Sequence, residues 1–247
     1  MKQFLIAVQF LTRLPVRIGA LDNRDIGASY AYFPAVGLLV GVLLAGVDTT
    51  LHFAGFGNFA SSAITVISLV VLTGAIHLDG LADTCDALYS GRGREEMLRI
   101  MRDPRSGAMG VVGIVSVLIL KVALLCMLTG PSRPFAIVAM CVLGRWAMVF
   151  ALQSAPYARE EGKAKHYCEG ANRSRTFAAA AITLAAVSIP VHLNGIAIFA
   201  IITGVTYLMT ARTTRLLGGI TGDTLGATDE LMETLTLFLL CLAQGGL

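Results

Sequence analysis

Met109-Gly-Val-Val-Gly-Ile-Val-Ser-Val-Leu-Ile-Leu-Lys-Val-Ala-Leu-Leu-Cys-Met-Leu-Thr129 carries one charged residue, Lys121. About 20 mostly apolar residues in a helix reach across the hydrocarbon core of a bilayer, so this stretch reads as a membrane span. Working outward, residues 34–54, 60–78, 135–153, 177–193 and 195–211 share its character. A shorter stretch, 231–242, either spans with its flanks or lies partly re-entrant. Links at 55–59 and 130–134 and around Asn194 are short enough for tight helical hairpins, with Gly and Pro as breakers. The whole chain agrees: 55% of residues are hydrophobic and 14% charged, against about 25% charged in an average soluble domain. Mean hydropathy is +0.73. Such a chain is not an ordinary soluble globule, a disordered segment or a basic nucleic-acid arm. The expected fold is an all-α polytopic integral membrane protein with six or seven transmembrane helices, forming one domain over 1–247.

The basic residues set the orientation. Lys2, Arg13, Arg17 and Arg24 precede the first span. Arg92, Arg94, Arg99, Arg102 and Arg105 lie in the loop 79–108, and Arg159, Lys163, Lys165, Arg173 and Arg175 in 154–176. Arg212 and Arg215 follow the sixth span. The alternate links hold only Arg133, while Lys121 and Arg145 sit inside spans. This alternation puts the N-terminus and the long loops in the cytoplasm. The apolar run 4–11 is followed by Arg13 and Arg17 instead of a small-residue cleavage site, so it reads as an interfacial helix and not a signal peptide. The five cysteines are scattered without a C-x-x-C pair and read as small hydrophobes.

Chemistry gathers in the long loops, which with the terminal segments hold every carboxylate except Asp48. His77-Leu-Asp79-Gly80-Leu-Ala-Asp83-Thr-Cys-Asp86 closes the second span. In a helix, Asp79, Asp83 and Asp86 would share one face. Three like charges there repel, and a hard divalent cation, Mg²⁺, is the natural compensation. Gly80 lets backbone or ligand come close, and His77 is the one histidine well placed beside the acids. Arg102-Asp103-Pro-Arg105-Ser106-Gly107 suits phosphate oxygens: the guanidinium groups offer planar forks, and the coming helix start offers free N–H groups. Its bland alternative is a basic membrane anchor with an ordinary helix cap. Gly218-Gly-Ile-Thr221-Gly-Asp223-Thr-Leu-Gly226-Ala-Thr-Asp229-Glu230 reads either as a loop folding over a ligand or as a turn and cap, with Asp223 and Asp229 as further ligands. Tyr157 and Arg159 open the other long loop, as substrate contacts or as an interfacial anchor. Together these describe metal-assisted phosphoryl transfer at the cytoplasmic membrane face.

At these same residues the chain resembles a known family. Phe10-Leu-Thr-Arg-Leu-Pro-Val16, the stretch His77 to Leu88, Met101-Arg-Asp-Pro-Arg-Ser-Gly107, Tyr157-Ala-Arg159 and Thr221-Gly-Asp-Thr-Leu-Gly-Ala227 are similar to the cobalamin synthases, the adenosylcobinamide-GDP ribazoletransferases. The resemblance runs nearly end to end. It implies that adenosylcobinamide-GDP meets α-ribazole or its 5′-phosphate, giving adenosylcobalamin or its 5′-phosphate with release of GMP. It also implies Mg²⁺ and a multi-pass inner-membrane location. The expected partners are the two substrates and the lipid bilayer, with a homo-oligomer left open by the sequence and no nucleic acid. On the matching motifs, Asp79, Asp83 and Asp86 are expected to hold the metal. Asp79, Asp83 or His77 is expected to act in catalysis, and Arg102, Asp103, Arg105, Tyr157, Arg159 and Asp223 to bind substrate. The acidic stretch is also similar to the D-G-x-x-A-R signature of CDP-alcohol phosphotransferases, but it departs at Asp83 and lacks the later D-x-x-x-D. A transporter is the rival class, on the strength of Lys121 and Arg145 inside spans; the absence of a visible repeat speaks against it.

Overall fold

The computed structural model describes residues 1–162, 164–191 and 193–244. Lys163, and His192 in the link expected around Asn194, lie outside them. Helices α1 (Lys2–Leu11), α2 (Asn23–Ser29) and α3 (Phe33–Phe53) open the chain, α3 carrying Pro34 in its first turn, where a missing N–H costs nothing. Then come α4 (Asn58–Thr73), α5 (Ile76–Tyr89), the short α6 (Arg94–Ile100) and α7 (Ala108–Met127). After α8 (Ser132–Ser154) and the short α9 (Lys165–Gly170), the chain ends in α10 (Arg173–Val191), α11 (Leu193–Leu217) and α12 (Gly222–Gln244). Among the described residues the only β pairing is one parallel bridge, Tyr157 to Ile220. The all-α expectation holds.

Among the described residues, four helical stretches are long and apolar enough to cross a membrane: Asn23–Phe53, Ala108–Met127, Ser132–Ser154 and Asn194–Leu217. A fifth is formed if α4 and α5, bent by 90°, are counted together. The expected six or seven is therefore not reached by length and apolarity alone. The last expected span differs most. Helix α12 runs well past 231–242 in the N-terminal direction and takes in Asp223, Asp229, Glu230 and Glu233. One face of α7, bearing Val111, Val112, Val115 and Ile119, is left open as a bilayer-facing helix requires. Helix α8 is almost wholly buried and packs against α3, α10, α11 and α12, making it the axis of the bundle.

The second expected span, 60–78, breaks at Gly74. Gly74 and Ala75 both take left-handed backbone (φ 66° and 59°), and the Ala75 N–H reaches back to the Val70 carbonyl at 3.0 Å, closing the helix as a left-handed cap does. Arg13 lies against Gly74 so closely that a Cβ there would collide with it, and the Arg13 N–H bonds the Leu72 carbonyl at 2.7 Å. Helix α5, too short and too acidic to span by itself, thus departs sideways.

Buried charges are paired, though not as their depth in the spans suggests. Asp48 and Lys121 would be natural partners across the first and third spans. Instead Asp48 takes a two-pronged pair with Arg133 (Nε to Oδ2 2.8 Å, Nη2 to Oδ1 2.7 Å), and Arg133 also bonds Ser62 and the Leu125 carbonyl. Lys121 pairs with Glu230 at 2.7 Å and with Glu233. Arg145 pairs with Glu233 and lies 3.4 Å from Asp229. Asp229, Glu230 and Glu233 are therefore interior groups and not part of a cytoplasmic loop. In the absence of water, each cation needs its carboxylate: Asp48 on α3 serves Arg133, and α12 supplies those of Lys121 and Arg145. The intramembrane charges that favoured a transporter are thus neutralised within the bundle.

Candidate active site

Helices α5 and α12 cross at close range. A Cβ on Gly80 would stand 2.7 Å from the Asp223 carbonyl oxygen, and one on Gly226 3.1 Å from His77 Cα. Only hydrogen fits at Gly80, so the expected close approach there is made by the backbone of Asp223. Helix α5 contains Asp79, Asp83 and Asp86 in one run of helix, as their spacing requires. The crossing then sets the start of α12 against that acidic face.

Local bonds fix the other partners. Thr221 and Thr224 exchange hydrogen bonds (Thr221 N–H to Thr224 Oγ1 2.8 Å, Thr224 N–H to Thr221 Oγ1 3.1 Å), a reciprocal cap that starts α12. The glycine-rich stretch is thus a turn and cap that also lines a pocket. The loop after α8 is tied to it by the Ala158 N–H to the Ile220 carbonyl (2.8 Å) and the Ile220 N–H to the Pro156 carbonyl (2.9 Å). That clamp aims Arg159 at Asp223, Nη2 to Oδ2 2.7 Å. The buried Nε–H of Arg159 has no partner among the described residues, leaving a donor for an anion.

Asp79, Asp223, Arg159, Tyr157 and His77 line one pocket of about 260 Å³. The hydrocarbon part of its wall comes from Phe10, Ile76, Met148 and Leu225, which sequence reasoning missed. Asp83 is half-buried on the same helix face as Asp79. Burial first, and then the neighbouring charges of Asp223 and Asp79, push its carboxyl up to about 7, with Arg159 opposing. His77 is buried at the pocket wall with Nδ1 2.7 Å from Asp229 Oδ2. Arg145 is 3.4 Å from the same nitrogen. Asp229 and Arg145 thus both face Nδ1, and Nε2 has no hydrogen-bond partner among the described residues.

Three expected site residues lie apart from the pocket, and a fourth has another task. Arg102, Asp103 and Arg105 line a separate open depression. Arg105 grips Asp103 with Nε at 3.0 Å and Nη2 at 2.9 Å, which holds that carboxyl down at about 2. Asp86 accepts the Gly107 N–H at 2.6 Å and the Gly110 N–H at 2.8 Å, so it caps α7. The amides offered to phosphate in the sequence reading are therefore taken by a carboxylate of the protein itself. His77, Asp229 and Glu230 bring donor atoms within 4.8 Å of one another. With Lys121 on Glu230 and Arg145 beside Asp229, that group is an ion-pair network already holding its cations.

No solved structure matches this chain. The cobalamin-5-phosphate synthase family matches residues 3–241. Among curated relatives, a Desulforamulus reducens protein is 38% identical, the match covering 97% of this chain and 96% of the relative. One from Stutzerimonas stutzeri is 40% identical over 99% of this chain and 100% of its own length, and one from Geotalea daltonii 36% identical over 100% and 99%. Each of the three is named adenosylcobinamide-GDP ribazoletransferase. With the family match running over residues 3–241 and relatives this similar over nearly their whole length, the chain belongs to the cobalamin-5-phosphate synthase family.

Proposed function

We propose that the pocket between α5, α12 and the Arg159 loop is the active site of an adenosylcobinamide-GDP ribazoletransferase. The enzyme joins adenosylcobinamide-GDP to α-ribazole or its 5′-phosphate and releases GMP. The observation that carries the proposal is the convergence of Asp79, Asp223, Arg159 and His77 on one pocket. A ribose hydroxyl attacks the corrinoid-bound phosphorus of the pyrophosphate. The new O–P bond forms as the P–O bond to GMP breaks, and the hydroxyl proton passes to a base. His77, at the pocket wall and backed by Asp229, or an α5 carboxylate takes that proton. Arg159, with an unpaired buried N–H, steadies the phosphate oxygens.

The donor set suits Mg²⁺: oxygen ligands only, with Asp83, whose carboxyl is pushed up first by burial and then by the charges of Asp223 and Asp79, close to both of those carboxylates. Asp79 and Asp83 would hold the ion, with Asp86 committed largely to the cap of α7. When bound, Mg²⁺ neutralises charge on the transferring and departing phosphates. The positive-inside pattern supports a site on the cytoplasmic face of a bacterial inner membrane. Purified protein in detergent, supplied with both substrates, should form the joined corrinoid and GMP with Mg²⁺ and fail with chelator. Absence of product under all divalent cations would overturn the reading.

A further inference from the structure

The pocket wall has two chemistries, and the proposed reaction uses only one of them. Phe10 from α1, Ile76 from α5, Met148 from α8 and Leu225 from α12 present hydrocarbon and thioether surface to the same space as Asp79 and Arg159. Phe10 is held rigidly: its ring packs against Tyr167 (centroids 4.7 Å) and Phe33 (5.8 Å). A wall of this kind at a phosphate site implies that one substrate brings a flat apolar group to it. The reaction proposed above offers four candidates: the corrin ring, the adenine of its adenosyl ligand, guanine and the benzimidazole base of the ribazole.

Size and polarity decide between them. At about 260 Å³ the space falls below the ~300–1,000 Å³ of pockets for drug-sized ligands, so the corrin ring stays outside. Guanine carries a carbonyl, an amino group and ring N–H groups around its edge, and adenine an amino group and ring nitrogen acceptors. The polar side chains of the pocket are engaged in the proposed reaction: Asp79 with the metal, Asp223 with Arg159, Arg159 with phosphate and His77 with the proton. Against Phe10, Ile76, Met148 and Leu225 the purine edges are therefore left without side-chain partners. A dimethylated benzimidazole has an apolar edge and a stacking face, and the adaptable Met148 thioether fits such a ring. We infer that this pocket is the subsite for the ribazole base, with Phe10 and Met148 setting base specificity. The inference rests on the ribazoletransferase reading. It brings the ribose, and with it the attacking hydroxyl, beside His77 and Asp79, while the corrinoid and its nucleotide approach from the open side.

The test uses the full-length protein in detergent, with initial rates measured against each substrate while the other is saturating. Phe10→Ala and Met148→Ala should each raise KM for α-ribazole by about tenfold or more, the scale of lost apolar contacts in a substrate pocket, with KM for adenosylcobinamide-GDP changed less than about twofold. Because Phe10→Ala could loosen α1, Phe10→Leu, which keeps bulk and loses the ring face, should show the same split in weaker form. Free 5,6-dimethylbenzimidazole should compete with α-ribazole, and guanine should not. Equal KM shifts for both substrates, or competition of the free base with the corrinoid instead, would overturn the subsite. If wild-type protein makes no product, the assigned reaction is what fails. Equilibrium dialysis of the free base against wild type and Met148→Ala then decides the subsite separately: weaker retention by the variant supports it, and equal retention rejects it.

Discussion

Asp83 is held among carboxylates, half-buried, with a carboxyl pushed up to about 7. Such a group disfavours the metal-free fold when ionised. The penalty is absent below its ordinary 3.8 and grows as pH rises toward 7. Asp83→Asn should therefore melt at a higher temperature than wild type at pH 8 in chelator, and the difference should vanish near pH 4. A variant less stable at pH 8 would contradict the electrostatic reading. The same substitution should harm catalysis. Asp79→Asn and Asp83→Asn are each expected to lose at least ~100-fold in turnover, roughly 3 kcal/mol of transition-state stabilisation, while the protein still accumulates in the membrane. Near-normal turnover of both at limiting Mg²⁺ would remove these residues from the metal site. Asp86→Asn acts through the start of α7 and should cost about 1 kcal/mol of stability, read from thermal unfolding, with a smaller rate loss.

At the scale of elements, two junctions carry the arrangement. The crossing of α5 and α12 depends on a missing side chain, since a Cβ at Gly80 would press on the Asp223 carbonyl oxygen at 2.7 Å. Gly80→Ala should separate the helices, cost about 1–3 kcal/mol as overpacking does, and lower turnover more than Gly46→Ala, whose Cβ meets open space. Equal effects of the two would deny the crossing its role. The second junction is the Asp48 and Arg133 pair, which ties α3 to α8 and reaches Ser62 on α4. Asp48→Asn leaves a buried guanidinium without its counter-charge and should cost about 3–5 kcal/mol, whereas Asp48→Asn with Arg133→Met should recover much of it. Additive losses in unfolding of the detergent-solubilised protein would show the two residues to be independent.

At the scale of the molecule, the orientation inferred from the basic residues is open to direct test. Single cysteines placed in 79–108 or 154–176 should resist impermeant thiol reagents in intact cells, and one at Asn58 should react. Labelling of the long loops from outside would invert the topology and move the site to the other face. The apolar stretches, the helical spacing of Asp79, Asp83 and Asp86, and the alternation of basic links are local properties. Hydropathy, a 3.6-residue period and charge count read them directly, so the all-α membrane fold and the acidic helix were legible from residues alone. The pocket was legible only in fragments. Asp79, Arg159 and Asp223 were visible as site residues; Phe10 stood in a matching motif without a role, and Met148 and the pairing of His77 with Asp229 were not visible, because nothing local distinguishes a pocket-lining Met or Phe from an ordinary core residue. Partner choice for Asp48 and Lys121, the commitment of Asp86 to α7 and the separation of Arg102 and Arg105 from the pocket were decided by tertiary structure. Each depends on which helices approach, and that is set by close backbone contact at Gly80 and Gly226 and by buried charges seeking counter-charges far away in the chain.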